Sequence, residues 1–403
     1  MASMDSLAAA SYGRAGARPR RGRAGGPGRG GATSAQRVRR VLLSASLIGL
    51  VPVLVSFAGA VTGASNSSFG IRSVEWLRDN GAASIVAKVE SVYYSLTAPA
   101  KGGPALRALP HTGVHGGGVL AATGGSLVVD RPPKIQPLAY PALPGEGVWN
   151  GTQPGESRSD PPLLVTTFRS DPSEYPRLVA GVAWINTSQT RVRLYPGRLE
   201  PSVELPARGP MEVPPSERSN LLATFNSGFK LGDSHGGWAL NGRTYAPMVD
   251  GQATFVRYAD GHYDVLAWHG GPRVGPEVVF ARQNLPLIVE GSKLSSALND
   301  SSEWGATVGN AVQVWRSGIG VDSHGNLIYA AADYQTVGSL ARILKHAGAV
   351  RAMELDINSY WISFNTYAAP GALQPGKLLS ETERPAERYL SPDDRDFFAV
   401  FKR

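Results

Sequence analysis

Residues 161–403 predict an α+β fold, a mostly antiparallel β-sheet with hairpins and at least one strand–helix–strand crossover. Three observations predict it. Short runs rich in β-branched and aromatic residues recur from Leu163 onward. Asn241-Gly242 and Asp260-Gly261 each separate two such runs, and Asp322–Asn326 separates a third pair. These are the residues that supply positive φ in tight hairpin turns. One segment alone carries a clear helical stripe, Val337, Leu340, Ile343, Leu344 and Ala347, between two apolar runs.

The elements before this region are of another kind. Residues 1–40 contain nine Arg and one acid, Asp5, among Gly, Ala, Ser and Pro. Such a tail cannot bury a core, so disorder is expected. Val41–Val61 has no charged residue, and 21 residues at about 1.5 Å each span a bilayer core of about 30 Å. Arg on its N-terminal side predicts that this end is cytoplasmic and that the rest is exported. The small-residue patterns Ala58-Gly59-Ala60 and Thr62-Gly63-Ala64 leave a cleaved signal peptide open as the alternative, with a secreted body. The long leading arm favours a retained signal-anchor over 41–63.

Residues 64–98 read as a juxtamembrane helical segment, with Ser73 as a cap and Asn80-Gly81 as a break. Residues 99–160 hold 21 Gly or Pro in 62 positions, a linker or an extended wrap. His111 and His115 in it lack an acidic or third His neighbour, so no metal site is expected there.

In the 161–403 region the expected strands are Leu163–Phe168, Leu178–Ile185, Arg191–Tyr195, Asn220–Phe225, Trp238–Leu240, Thr244–Met248, Ala253–Tyr258, Tyr263–Trp268, Leu285–Val289, Val312–Val321, Leu327–Ala332 and Val350–Leu355. Thr336 caps the one long helix and Gly348 stops it. The order strand, helix, strand over 327–355 predicts a crossover onto a parallel neighbour, with Glu354, Leu355 and Asp356 delivered to a strand end.

Composition removes several function classes. The chain has 40 basic and 32 acidic residues, and the part after the tail is neutral, with 31 of each. A body-wide nucleic-acid footprint is therefore not expected, and the tail is read as setting membrane orientation. With no cysteine, thiolate metal sites, iron–sulfur clusters and cysteine nucleophiles are excluded. Phosphate-loop, zinc-protease, EF-hand and Gly-x-Ser-x-Gly patterns are absent, and no cofactor is expected.

Four polar segments remain as candidate sites. Asn226-Ser227-Gly228-Phe229-Lys230, continuing to Asp233 and His235, joins close backbone approach at Gly228 with neutral and cationic donors, or is a Gly-rich turn before a hairpin. Glu290-Gly291-Ser292-Lys293 offers a carboxylate, or is a simple turn. Arg316 lies inside a strand pattern, as a cross-strand partner or a rigidly held cation for an anion. Glu354-Leu355-Asp356-Ile357-Asn358 puts a carboxylate at a strand end beside an amide, as base, nucleophile or ligand anchor, or as a structural carboxylate satisfying loop amides.

The runs Thr224–Phe229, Arg316–Asp322 with Gly325-Asn326-Leu327, and Gly348–Asp356 resemble the phosphodiester glycosidase family, which includes the uncovering enzyme that removes N-acetylglucosamine from phosphodiesters. The resemblance covers about 220–366, and 161–219 reads as the start of the same domain. It is closer to an exported actinobacterial-type branch with an altered Asp-Ile-Asn form. Ser227 stands where the family has Gly, and Ile357-Asn358-Ser359-Tyr360 replaces a Gly-rich stretch.

The resemblance implies an extracellular, membrane-anchored hydrolase cleaving a sugar-1-phosphodiester, in one form a cell-wall glycopolymer. Asn226, Arg316 and Asp356 match family positions. The implied roles are Asp356 at the oxocarbenium-like centre, Arg316 on phosphate oxygens and Asn226 on sugar hydroxyls or water. Lys230, His235 and Glu290 rest on the residue reading alone, as do Gly228 and Asn358 as substrate contacts. A non-catalytic glycan- or wall-polymer-binding protein on the same fold stays open, as does an anchored scaffold.

Overall fold

The computed structural model describes residues 33–110, 112, 131–153, 161–171, 173–299, 304–305 and 312–403. The Arg-rich tail up to residue 32 and both His111 and His115 lie outside them. The chain divides into two units, Met1–Ala58 and Gly59–Arg403. The first is dominated by helix α1 (Ser34–Thr62), which contains the apolar run and Pro52 and buries none of its residues. It is long and apolar enough to cross a membrane.

In the second unit, α2 (Phe69–Leu77) and α3 (Ala83–Thr97) are separated where expected: Asn80 leaves helical geometry and Gly81 takes φ 90°. The cap of α2 is Ser68 rather than Ser73. Its hydroxyl accepts from the Ile71 N–H, so the helix starts before the residues whose periodicity announces it.

Among the described residues eighteen strands follow: β1 (Asn150–Gly151), β2 (Leu163–Asp171), β3 (Tyr175–Ile185), β4 (Thr190–Tyr195), β5 (Leu221–Asn226), β6 (Trp238–Leu240), β7 (Arg243–Ala246), β8 (Ala253–Tyr258), β9 (Tyr263–Ala267), β10 (Val278–Gln283), β11 (Leu287–Glu290), β12 (Lys293–Leu294), β13 (Val314–Val321), β14 (Leu327–Gln335), β15 (Arg351–Glu354), β16 (Phe364–Ala369), β17 (Leu373–Lys377) and β18 (Phe397–Lys402). The short helix α4 (Leu231–Ser234) precedes β6, and α5 (Val337–His346) lies between β14 and β15. The strands form an eight-stranded sheet, β1-β2-β3-β14-β13-β15-β11-β12, and two five-stranded sheets, β7-β6-β10-β8-β9 and β17-β16-β5-β18-β4. The fold is α+β, and every described pairing is antiparallel.

The crossover helix exists, but its strands are not neighbours. β13 lies between β14 and β15 and is antiparallel to both, so the crossover steps over one strand. Sequence order reports the helix and not the strand slipped in between. Thr336 caps α5 through the Ser339 N–H at 3.1 Å, and the apolar stripe is buried on the large sheet. Gly318 permits that contact, because a Cβ there would stand 2.7 Å from Leu344 and 2.8 Å from the Met353 carbonyl.

The three sheets share one apolar core. Phe398 of β18 packs on Phe225, Phe255 and Phe280 at ring separations of 5.1, 4.9 and 5.6 Å. The Asn241-Gly242 hairpin takes positive φ at both residues, 51° and 71°, the geometry that matches strand twist. The Gly/Pro-rich segment is in part a wrap: Glu146 is buried and accepts from the Arg169 backbone N–H and from its guanidinium at 2.9 and 2.8 Å.

Burial pushes the Asp333 carboxyl up to about 6, against an ordinary 3.8, although the Tyr334 N–H offsets part of it. The folded state therefore holds a proton that the unfolded state has lost, and stability falls as pH rises from about 4 to about 6. Asp333→Asn removes that penalty. It is expected to raise stability at pH 7–8 by at most about 3 kcal/mol and to change little near pH 3, as thermal unfolding across pH would show.

Candidate functional site

The site forms where the end of β5, the middle of β13, the chain after β15 and the loop before β18 meet. Each arrives for a local reason. β5 ends at Asn226, where Ser227-Gly228 leaves the sheet. β15 ends at Glu354, and the chain turns through Leu355–Asn358 with the Asp356 carboxylate accepting from the Asn358 N–H at 2.9 Å. Ser317 ties the two together. Its N–H donates to the Asp356 carbonyl at 2.9 Å, and its hydroxyl accepts from the Asn226 amide at 3.0 Å and from the Asp356 N–H at 3.2 Å.

Asn226 and Asp356, distant in sequence, therefore share one buried cluster. The Asn226 amide has little left to offer a ligand. Its nitrogen donates to Ser317 and to the Ser227 carbonyl, and its oxygen accepts from the Tyr329 hydroxyl at 2.9 Å and the Ser363 N–H at 3.1 Å. It is a positioning group.

Arg316 does not join them. Neighbouring strand residues point to opposite faces, and Ser317 takes the cluster side. The Arg316 guanidinium is 1% exposed and ion-paired with the buried Glu354. It also donates to the carbonyls of Gln335, Trp304 and Val312. All its nitrogens are engaged by protein, so its fork is not presented to an anion in this structure.

The guanidinium that does meet the carboxylate is Arg395. It donates to Asp356 at 3.2 Å and to the Gly228 carbonyl at 3.0 Å, and lies over the Trp361 ring at 5.3 Å. Arg384 and Arg388 lie over the same ring at 5.6 and 5.2 Å. Asp393 gathers them. It takes Arg388 through both oxygens at 2.8 and 3.1 Å, Arg384 at 3.3 Å, and the Arg395 N–H at 2.9 Å. Gly197 lets the backbone here pass, since a Cβ would stand 2.4 Å from the Arg395 carbonyl.

The remaining candidates are scattered. Lys230 caps α4 and pairs with Glu75 of α2 at 2.5 Å and with Asp79 at 3.3 Å. Asn358 is at the cluster through its N–H, and its side chain accepts from the Tyr360 N–H. Gly228 meets the cluster through its carbonyl. His235 is exposed in the left-handed region, φ 52°, beyond α4. Glu290 is exposed at the β11–β12 turn and makes no described contact with the cluster.

Burial raises the Asp356 carboxyl, partly offset by Arg395 and by the N–H groups of Asn358 and Ile357. Burial also acts on Glu75, but Lys230, Arg78 and Arg395 outweigh it and hold that carboxyl below its ordinary value. Two buried polar atoms at the cluster have no protein partner among the described residues, Ser227 Oγ and Arg395 Nε. An unpaired buried donor is costly, and such atoms mark places where a ligand or water would be held. Among the described residues no cluster of His, Asp and Glu suits a metal ion.

Ser317, Tyr329, Trp361, Arg388, Asp393, Arg395 and Glu75 escape sequence reasoning. The one available signal is Asp393-Asp394-Arg395-Asp396, a dense run of mixed charge directly before the apolar strand β18.

No family model and no curated relative matches the chain. Among solved structures, the catalytic domain of zebrafish N-acetylglucosamine-1-phosphodiester alpha-N-acetylglucosaminidase, auto-inhibited by its pro-peptide, aligns over 63% of this chain and 86% of its own at 16% identity and TM-score 0.38. A hypothetical protein from Synechocystis aligns over 56% of this chain and 59% of its own at 14% identity and TM-score 0.32. The likeness is one of distant fold.

A buried pair of this kind is destabilising when only one partner is removed. Arg316→Met is expected to lose about 3–5 kcal/mol, and Arg316→Met with Glu354→Leu to recover much of it, read by chemical denaturation. A phosphate-ligand role for Arg316 would instead appear as a KM change without that recovery.

Proposed function

We propose that this protein is a hydrolase that cleaves the bond between the anomeric carbon and the phosphate oxygen of a sugar-1-phosphodiester. The supporting observation is the buried Asp356–Arg395 pair, with a free Arg395 N–H and a free Ser227 hydroxyl beside it. A carboxylate next to a guanidinium with unused hydrogen-bonding capacity suits a substrate that develops positive charge at carbon and negative charge on phosphate.

Asp356 faces the anomeric carbon as nucleophile or as base toward water. Water adds to that carbon, the carbon–oxygen bond breaks, and the phosphomonoester leaves with the electron pair. A phosphate is a good leaving group, so a strong general acid is not required. Arg395 takes the phosphate-binding role that the family resemblance assigns to Arg316, because its guanidinium is the one at the carboxylate. Lys230 adds charge once a phosphate oxygen replaces Glu75 on its ammonium. Asn226 acts through Ser317 by fixing the Asp356 backbone. In this reading the α1 helix anchors the domain outside the cell, and a wall glycopolymer is one source of substrate.

A non-catalytic glycan-binding reading draws on one observation. Asp356 is only 4% exposed, and Ile357 is packed with Phe229 and Val314. Incubating the full chain with a panel of sugar-1-phosphodiesters separates the two. Equal release of reducing sugar and phosphomonoester supports the hydrolase, and retention without product supports the binder.

Asp356→Asn is expected to lower kcat by about 10²–10⁴-fold with little change in KM. Retained turnover would remove the role. Asp356 must be ionised to act, and Arg395 favours its ionised form. Arg395→Gln is therefore expected to move the acid limb of kcat/KM to higher pH, with activity lost earlier as pH falls.

A further inference from the structure

The wall that α2 and α3 build beside the site is apolar. A groove of about 430 Å³ runs between these helices and the chain at Asn358–Trp361, lined by Ile71, Val74, Val86, Val89 and Trp361. Two residues of the same lining bond to groups outside the groove. Asn358 donates its N–H to Asp356, and Glu75 holds Lys230. Asn358 and Glu75 are thus the lining residues that join the groove to Asp356 and to Lys230.

The groove side of α3 continues this character along the helix. Ile85, Val89, Val92 and Leu96 share one helical face and are 59–80% exposed. An exposed apolar strip of this length next to a polar site marks a surface that something apolar covers.

The chain itself says what is near. The apolar helix α1 ends at Thr62, and α2 begins at Phe69. Residues at and after that end bond to the rest of the domain: Arg72 donates to the carbonyls of Ala60 and Gly63 at 3.0 and 2.7 Å, and Ser65 donates to Asp394 at 2.8 Å. Six residues, 63–68, join the end of α1 to α2, and six residues reach at most about 21 Å.

We infer that the groove receives the aliphatic chain of a membrane-borne sugar phosphodiester. The substrate class is then a lipid-linked sugar phosphate, its chain between α2, α3 and Trp361, its phosphate at Lys230 and Arg395, and its sugar at Asp356. The substrate assignment rests on the hydrolase reading above; chain binding in the groove does not. Each buried methylene strengthens binding by a factor of about four.

The test uses the full chain in nanodiscs. Two substrates share sugar and phosphate and differ in a methyl or a long prenyl-type aglycone, and a diazirine-bearing long-chain alkyl phosphate serves as photoprobe. The expected results are a KM at least about tenfold lower for the long chain and probe labelling within residues 71–93 and 358–361. Unlabelled long-chain alkyl phosphate should compete with the probe, and methyl phosphate should not. Val89→Glu, at an exposed position that tolerates folding, should bring the ratio of the two KM values toward one.

Labelling confined to other segments, or equal KM values for both substrates, overturns the groove assignment while short-chain turnover upholds the hydrolase. Crosslinking of two copies through α3 in place of probe labelling also overturns it. Groove labelling with no turnover of either substrate overturns the hydrolase reading and supports a lipid-binding groove.

Discussion

The Asp393 carboxylate is the constraint on which the rest of the site depends. It is fully buried, and a buried carboxylate is tolerated only if cations and N–H groups replace its lost water. Burial pushes it up, but Arg388 and Arg384 outweigh this and hold it below its ordinary value. In satisfying Asp393, Arg388 is fixed so that it also donates to the Trp361 carbonyl and the Ser363 hydroxyl. Arg395 follows in the same turn and reaches Asp356. One buried charge thereby connects the C-terminal loop to the chain after β15 and helps set the position of the Asp356 carboxylate.

This arrangement also accounts for how the site is enclosed. The loop that supplies the arginines receives residues 65–68, where Asn66 and Ser67 contact Arg384 and Asn66 bonds to the Pro392 carbonyl. Helix α2 then places Glu75 on Lys230. The segment that follows the apolar helix is thus part of the site's wall, with ionic and apolar portions side by side.

Asp356 lies in the buried cluster, and the guanidinium beside it is Arg395 rather than Arg316. Arg316 and Glu354 occupy the sheet face toward α5, where they complete a buried pair. The guanidinium at the strand-end carboxylate comes from the C-terminal loop. Asn226 lies in the cluster bonded to Ser317, and every polar atom of its amide is already paired.

The sequence by itself determined whatever depends on neighbouring residues. The α1 span, the break at Asn80-Gly81, the three hairpins and the Thr336 cap are set by local apolar runs and by residues suited to positive φ or to capping. Asp356 was legible because a carboxylate after a short apolar strand falls at a sheet end. Tertiary structure alone decided which groups share a space. That β13 separates β14 from β15, that Arg316 faces away, that Arg395 rather than Arg316 meets Asp356, and that α2 covers Lys230 all depend on pairings between residues tens to hundreds of positions apart. Burial and charge compensation select such pairings across the whole folded chain, and no local pattern records them.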